Sequence, residues 1–393
     1  MQLGLQCPTG RRGFANIWLC CLRWTVSLNM QRVLQVTSKL FRGGAEAFIM
    51  NVYRNINRER VQFDFLTFRS PREFYEDEIE RLGGRIYHVP IMEGMNFLRR
   101  RSMLDSFFAE HSSYCAIHGH MAALGGDYLA AAERAGIQRR FSHSHIADFE
   151  RNPRGYLKHA FERGFGDHAT HRLACSTSAG KYMYGDAPFV VVNNGIDIER
   201  FSFSPSSRAS FRASIGASER EPLIGHVGRF ELMKNHDFLI EIFASMVRNG
   251  LPGRLVLAGD GSLRRKMEEK VSLLGIDDRV VFLGVIEDMP SFYSGIDVFV
   301  MPSLFEGLPF SVIEAQCSGL PCVLSDTISS ECKVAKDVQF LPLSAGDDAW
   351  GASVKRFLQV AKDNRDGSSF VRAAGYDIAD VARVLEGLYG GKK

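Results

Sequence analysis

The sequence predicts an α/β protein made of two doubly wound, Rossmann-like domains. Three observations carry that expectation. Short β-rich runs alternate with helix-like segments from Arg32 to Val192. A second alternating series begins at Pro222 and continues to the end of the chain. Between the two lies a Ser- and Pro-containing run, Phe201–Ser207, that reads as a linker. Strands alternating with helical crossovers argue for parallel sheets covered by helices on both faces. Ligands of such sheets bind beyond the carboxyl ends of the strands.

Length and composition agree. A chain of 393 residues is long enough for two or three domains, each with its own core. Apolar content of 45% and charged content of 24% are those of an ordinary globular protein. The net charge of +3 leaves no nucleic-acid footprint. Residues 1–200 carry 26 Lys and Arg against 20 Asp and Glu, and residues 201–393 carry 22 against 25. The basic first half is compatible with an anionic membrane surface or an acidic acceptor, and equally with no such partner. The cysteines, Cys7, Cys20, Cys21, Cys115, Cys175, Cys317, Cys322 and Cys332, form no CxxC pair and sit mostly in apolar runs. They read as reduced core residues of a cytoplasmic protein, without a structural zinc site.

Residues 1–29 differ from the rest. They hold Arg11, Arg12 and Arg23 and no acid, and Arg23 interrupts the apolar run Phe14–Leu28. The run is too broken for a membrane span of about 20 apolar residues, and it lacks the h-region and cleavage site of a signal peptide. The segment reads as an extension ahead of a natural start at Met30. An interfacial anchor is the alternative.

In the first half the expected strands are Arg32–Val36, Phe63–Phe68, Arg85–Val89, Tyr114–His118, Arg139–His143, Leu173–Ser176 and Phe189–Val192. Helices are expected at Ala45–Ile56, Glu73–Leu82, Phe97–Glu110 and Met121–Ala135. Gly43 and Gly44 stand between the first strand and first helix, where the backbone can approach a ligand closely. Two histidine pairs, His118/His120 and His143/His145, follow strand ends. Paired histidines suggest a metal site, but no acidic ligand or CxxC accompanies them, so none is expected here. The helix FLRRRSMLDSFF, Phe97–Phe108, suits either a membrane surface or a solvated basic face.

The second half holds the densest chemistry. Arg229 and Lys234 follow the first strand of the second series, and Gly259-Asp260-Gly261 follows the strand Arg254–Ala258. Val280–Phe282 with Gly284 is a further strand and turn, and Asp288–Ser294 a short helix. The stretch Met301–Ser325 organises the rest. A strand ending at Val300 leads into a loop with Glu306, Gly307 and Pro309, then a helix at about Phe310–Ser318. Glu306 falls on the loop and Glu314 inside the helix, both able to face a ligand at the helix N-terminus. Such a terminus presents unpaired N–H groups and partial positive charge, which suits a phosphate.

The pattern Glu306, Gly307, Pro309, Glu314, Ala315 resembles the Glu-x7-Glu signature of retaining glycosyltransferases of the GT-B fold, family 4, exopolysaccharide or capsule (EpsF-like) type. Three further elements fit in order: the Gly43-Gly44 loop, the turn Asn194-Gly195-Ile196-Asp197, and Arg229 with Lys234. The resemblance covers about Gln31 to Tyr389. It implies two Rossmann-like domains facing across a cleft. It implies that Arg229, Lys234 and the amides near Leu308, Pro309 and Phe310 hold a nucleotide diphosphate. Glu314 then takes the ribose hydroxyls, Glu306 the donor sugar, and Val285 and Ile286 the nucleobase. Gly43 and Gly44 border the phosphates and the acceptor. His145 lies at the acceptor side, with His143 the other candidate. Negative charge grows on the leaving diphosphate, so protein cations and helix N–H groups must hold it in a site that needs no metal or other cofactor.

The expected organisation is an extension at 1–29, an acceptor-side domain at 30–200, a linker at 201–220 and a donor-binding domain at 221–375. A terminal helix at 376–393 is expected to cross back to the first domain. The expected function is retaining transfer of a hexose from a nucleotide sugar, UDP-linked by preference, to a saccharide or lipid-linked acceptor in exopolysaccharide, capsule or cell-surface glycan synthesis. The location would be cytoplasmic, with peripheral contact to the inner face of the plasma membrane. Two alternatives remain open: a nucleotide-sugar 2-epimerase of the same fold, and a non-catalytic donor-binding subunit of a polysaccharide assembly.

Overall fold

A computed structural model of the chain describes residues 30–69, 71–146, 153–162, 164–359 and 365–391. The segment 1–29 lies outside the described residues, and so do the readings placed on it. The first sheet comprises β1 (Gln31–Thr37), β2 (Val61–Thr67), β3 (Ile86–His88), β4 (Ala116–Gly119), β5 (Arg139–Ser144), β6 (His171–Ala174) and β7 (Val190–Val191). Their spatial order is β3-β2-β1-β4-β5-β6-β7. The second comprises β8 (Leu223–Val227), β9 (Arg254–Ala258), β10 (Val280–Gly284), β11 (Val298–Met301), β12 (Cys322–Ser325) and β13 (Val338–Leu341), in the order β10-β9-β8-β11-β12-β13. All neighbouring strands run parallel. Each sheet reverses its order once, between β1 and β4 and between β8 and β11. At such a reversal the crossovers leave in opposite directions and open a crevice above the strand ends.

The strand sequences follow from this layering. β2, β11 and β12 are buried along their whole length. Helices cover both faces, so these strands read as near-continuous apolar runs. The charged exception in these strands is Asp64 on β2, with no exposed surface. It is compensated by the Arg32 guanidinium at 2.5 Å, the Tyr114 hydroxyl at 2.8 Å and the Arg85 N–H at 2.8 Å. A buried carboxylate persists only with such partners.

Two expectations need correction. The run read as a linker at 201–220 is mostly helix, Pro205–Ser214. Ser204 caps it by accepting the Ser207 N–H, and Pro205 occupies the first turn. Ser followed by Pro is a helix-start signal as well as a linker composition. Phe211 packs against Gly295 and Phe292, and Arg212 donates to the Gly295 carbonyl at 2.7 Å, so this helix is part of the second domain. The helix expected from Met121 begins at Gly125, because Leu124 takes a left-handed conformation (φ 66°) that no helix can include.

The domains are joined twice. The turn at Ile196 runs beside the entry to the last helix, Ile196 N–H donating to the Tyr376 carbonyl (2.8 Å) and Ile378 N–H to the Ile196 carbonyl (3.0 Å). A Cβ at Gly195 would lie 3.0 Å from the Ile378 Cα, so any side chain there would press on the backbone of the last helix. The last helix, Ile378–Gly390, then packs Ile378, Val381, Leu385 and Tyr389 into the core of the first domain. Across the cleft, Glu331 accepts the N–H groups of Thr177 and Ser178 at 2.7 and 2.9 Å, capping a first-domain helix from the second domain. Among the described residues no helix is long and apolar enough to cross a membrane.

Leu385 is 1% exposed in that core. Leu385→Ala should destabilise the first domain by about 2–4 kcal/mol, read as a lowered urea midpoint. An unchanged midpoint would show that the last helix is not integral to it.

Candidate active site

Four loops converge at the carboxyl end of the second sheet. Phe230 N–H donates to the Asp260 carbonyl at 3.1 Å, and Gly259 N–H to the Gly284 carbonyl at 2.8 Å. These bonds join the loops after β8, β9 and β10 side by side. Gly259 has φ +139°, and a Cβ there would stand 2.0 Å from the Gly228 carbonyl oxygen. Glycine is what lets these backbones touch. The loop after β8 is tied to the loop after β11 by Leu304 N–H donating to the Met233 carbonyl (2.8 Å) and by the Asn235 side-chain amide donating to the Pro302 carbonyl (3.0 Å).

This scaffold brings two predicted residues together across the β8/β11 crevice. Lys234 Nζ lies 2.5 Å from Glu306 Oε1, both about one-fifth exposed. Arg229 stays extended into solvent, 64% exposed, with Glu231 3.8 Å away. Beyond Glu306, the helix Phe310–Cys317 starts after Pro309 with no side-chain cap, leaving its first amides open. Leu308 is buried, and its carbonyl accepts from the Asn194 side-chain amide at 3.2 Å, tying this loop to the interdomain crossover. Val285 is 55% exposed beside the Gly284 turn, while Ile286 packs on the second-domain core.

Glu314 sits within the helix, and the Tyr293 hydroxyl donates to its Oε2 at 2.8 Å. Burial pushes its carboxyl up to about 7, although the Tyr293 hydrogen bond and the Arg200 guanidinium oppose the rise.

The first domain contributes a second assembly at its own strand reversal. Gly43 and Gly44 open the helix Gly44–Asn55. The Glu46 carboxylate lies where a Cβ on Gly43 would be, at 2.1 Å, and accepts from the Thr37 hydroxyl at 3.2 Å. Burial raises the Glu46 carboxyl above its ordinary value. Phe48, one turn on, faces His143 and His145 with ring centres 5.0 and 5.4 Å away. The two histidine pairs meet: His118 Nε2 is 3.2 Å from His143 Nδ1, and His120 Nδ1 is 2.9 Å from His145 Nε2. Their outer nitrogens reach Tyr389 Oη (2.6 Å from His118 Nδ1) and Gln35 Oε1 (2.9 Å from His120 Nε2). His143 is fully buried, and His145 is the half-buried member. Burial lowers all four imidazoles, His118 and His145 to about 3.

Sequence reasoning did not single out Gln35, Glu46, Tyr293 or Tyr389, and it read Asn194 only as part of a turn. Tyr389 lies 271 positions from His118, and no local pattern links them. The Asn194 contact to the Leu308 carbonyl spans 114 positions. Glu46 alone was reachable, as a carboxylate in the first turn after a glycine pair.

Comparisons with known proteins identify the family. A family described as "Glycosyltransferase Family 4" matches residues 42–200, and one described as "Glycosyl transferases group 1" matches residues 207–371. The EpsF protein of Bacillus subtilis, described as a glycosyltransferase, is 35% identical over 371 residues, 92% of this chain and 97% of its own length. The chain belongs to the family-4 glycosyltransferases of the GT-B fold. A relative from Escherichia coli, the UDP-Gal:alpha-D-GlcNAc-diphosphoundecaprenol alpha-1,3-galactosyltransferase, is 27% identical over 267 residues, 64% of this chain and 69% of its own length. Among solved structures, Anabaena HepE in complex with UDP and glucose superposes with a TM-score of 0.73 at 17% identity, covering 91% of this chain and 98% of its own. This glycosyltransferase therefore places its two residue clusters at the ends of two facing sheets.

The raised Glu314 carboxyl carries a stability signature. A carboxyl whose folded pKa exceeds its ordinary 4.5 stabilises fully below that value, and the contribution is lost as pH rises through about 7. Glu314→Gln should therefore gain stability relative to the parent between pH 5 and pH 8, by about 1–3 kcal/mol. Urea unfolding at the two pH values reads this. An equal difference at both would contradict the burial of an ionisable Glu314.

Proposed function

We propose that this glycosyltransferase moves a hexose from a UDP-sugar, with retention, to a lipid-linked or saccharide acceptor in exopolysaccharide, capsule or related cell-surface glycan synthesis. The carrying observation is the Lys234–Glu306 pair across the β8/β11 crevice. The Glu306 carboxylate balances the Lys234 ammonium. An arriving diphosphate, bearing more charge than one carboxylate, competes for the ammonium and frees Glu306 to accept donor-sugar hydroxyls. Arg229, exposed and in reach, closes on the same phosphates, and the open amides at Phe310 add helix N-terminal charge. Glu314 accepts from the ribose hydroxyls, and does so best once ionised. Val285 and Ile286 border the base, which backbone groups read.

The UDP-sugar reading draws support from the UDP-Gal donor of the Escherichia coli relative and the UDP held by HepE. Retention follows if the leaving phosphate itself takes the acceptor proton on the same face as departure, with no protein nucleophile required. The cations and amides supply the charge that a metal supplies elsewhere, so the donor site needs none. His145, the half-buried end of the histidine cluster, lies at the acceptor side. Domain closure excludes water that would hydrolyse the donor.

Membrane contact is read onto the helix Asn96–Glu110. Its Arg100 and Arg101 are paired with Asp127, both at 2.7 Å, while Met95 and Leu98 are 76% and 78% exposed. These apolar side chains, with Arg99, suit the inner face of an anionic membrane.

Calorimetric titration with UDP in the presence of a chelator tests the donor reading. Lys234→Ala should weaken UDP by roughly 1.5–3 kcal/mol. Glu306→Gln should bind UDP slightly tighter, by about 0.5–1 kcal/mol, yet lose transfer. Unchanged affinity in Lys234→Ala, or loss of binding in Glu306→Gln, would contradict the assignment. Release of a free 2-epimer from the UDP-sugar without acceptor would favour an epimerase instead.

A further inference from the structure

The donor chemistry makes no use of His118, His120 and His143. Residues two apart on a strand share a face, and β4 lies beside β5 with His118 opposite Phe141. The HGH and HSH runs therefore point four imidazoles at one another. Ring nitrogens of His118, His120 and His143 all lie within 4.8 Å of one another. Ligand nitrogens on a tetrahedral ion with bonds of about 2.0–2.1 Å stand roughly 3.3 Å apart. The His118–His143 spacing of 3.2 Å is close to that value.

The outer nitrogens strengthen the case. Ligating imidazoles usually donate their far N–H to an oxygen that fixes tautomer and ring orientation. Tyr389 Oη and Gln35 Oε1 stand in that position for His118 and His120. Gln35 Oε1 can only accept, so His120 carries its proton on Nε2 and turns the Nδ1 lone pair into the cluster. His143 Nε2 and His145 Nδ1, on the ring edges away from these contacts, are buried without a hydrogen-bond partner.

We propose that this cluster binds one divalent transition-metal ion of the imidazole-preferring class, Zn²⁺ foremost, through His118, His120 and His143. Burial keeps the imidazoles neutral at pH 7, the form that coordinates a cation. The ion would lock β4 to β5 and, through Tyr389, to the last helix. It is separate from the diphosphate site, which stands in the other domain and needs no metal.

Co²⁺ titration of the chelator-stripped full chain tests this, followed by the visible absorption of tetrahedral cobalt. One equivalent should bind, develop that absorption and be displaced by Zn²⁺. His143→Ala should weaken Co²⁺ at least about 100-fold, and Tyr389→Phe about 10-fold through the lost outer partner. UDP affinity should stay unchanged in both. If His143→Ala does not fold, His143→Gln serves, with Zn²⁺ expected to raise the Tm of the parent and not of the variant. Failure of the parent to retain Co²⁺, or equal binding by the variants, would overturn the proposal and leave the cluster a hydrogen-bonded relay.

Discussion

A parallel sheet that reverses its strand order once has a single place where its loops part. In this protein that constraint acts twice, between β1 and β4 and between β8 and β11. Lys234 comes from the loop after β8 and Glu306 from the loop after β11, so their pairing bridges the second crevice. Gln35 on β1 and His118 and His120 at the end of β4 bridge the first. The chemistry is thus set by topology before any side chain is chosen. The side chains then decide which charges and lone pairs each crevice presents.

The two crevices differ in electrostatic character. The second holds a cation, a carboxylate and open helix amides, a polarised surface that a diphosphate can rearrange. Its Glu314 is poised near neutrality because burial opposes its charge while Tyr293 stabilises it. The first holds buried imidazoles packed against Phe48, where burial disfavours their charge. The last helix serves both sites: it leaves the second domain beside Ile196 and ends with Tyr389 against the histidines.

Much of this was legible in the sequence, and the limits have physical causes. Strands such as β2 and β11 stand out because burial on both faces demands unbroken apolar runs. Arg229, Lys234, Glu306 and Glu314 were visible because loop and helix-start chemistry is local. Ser204-Pro205 misled because a cap and a linker share composition. The helix start at Gly125 was missed because the left-handed Leu124 leaves no compositional trace. The histidine pairs were visible singly. Their meeting depends on β4 lying beside β5 and on Tyr389 and Gln35, which only the folded topology supplies.

The central claim is that the nucleotide sits over the β8/β11 crevice. Hydrogen–deuterium exchange with and without UDP tests it most directly. The account predicts slowed exchange at residues 228–235, 259–263, 284–287 and 305–312, with the histidine strands β4 and β5 unchanged. Protection centred on the first sheet, or none at saturating UDP, would contradict it.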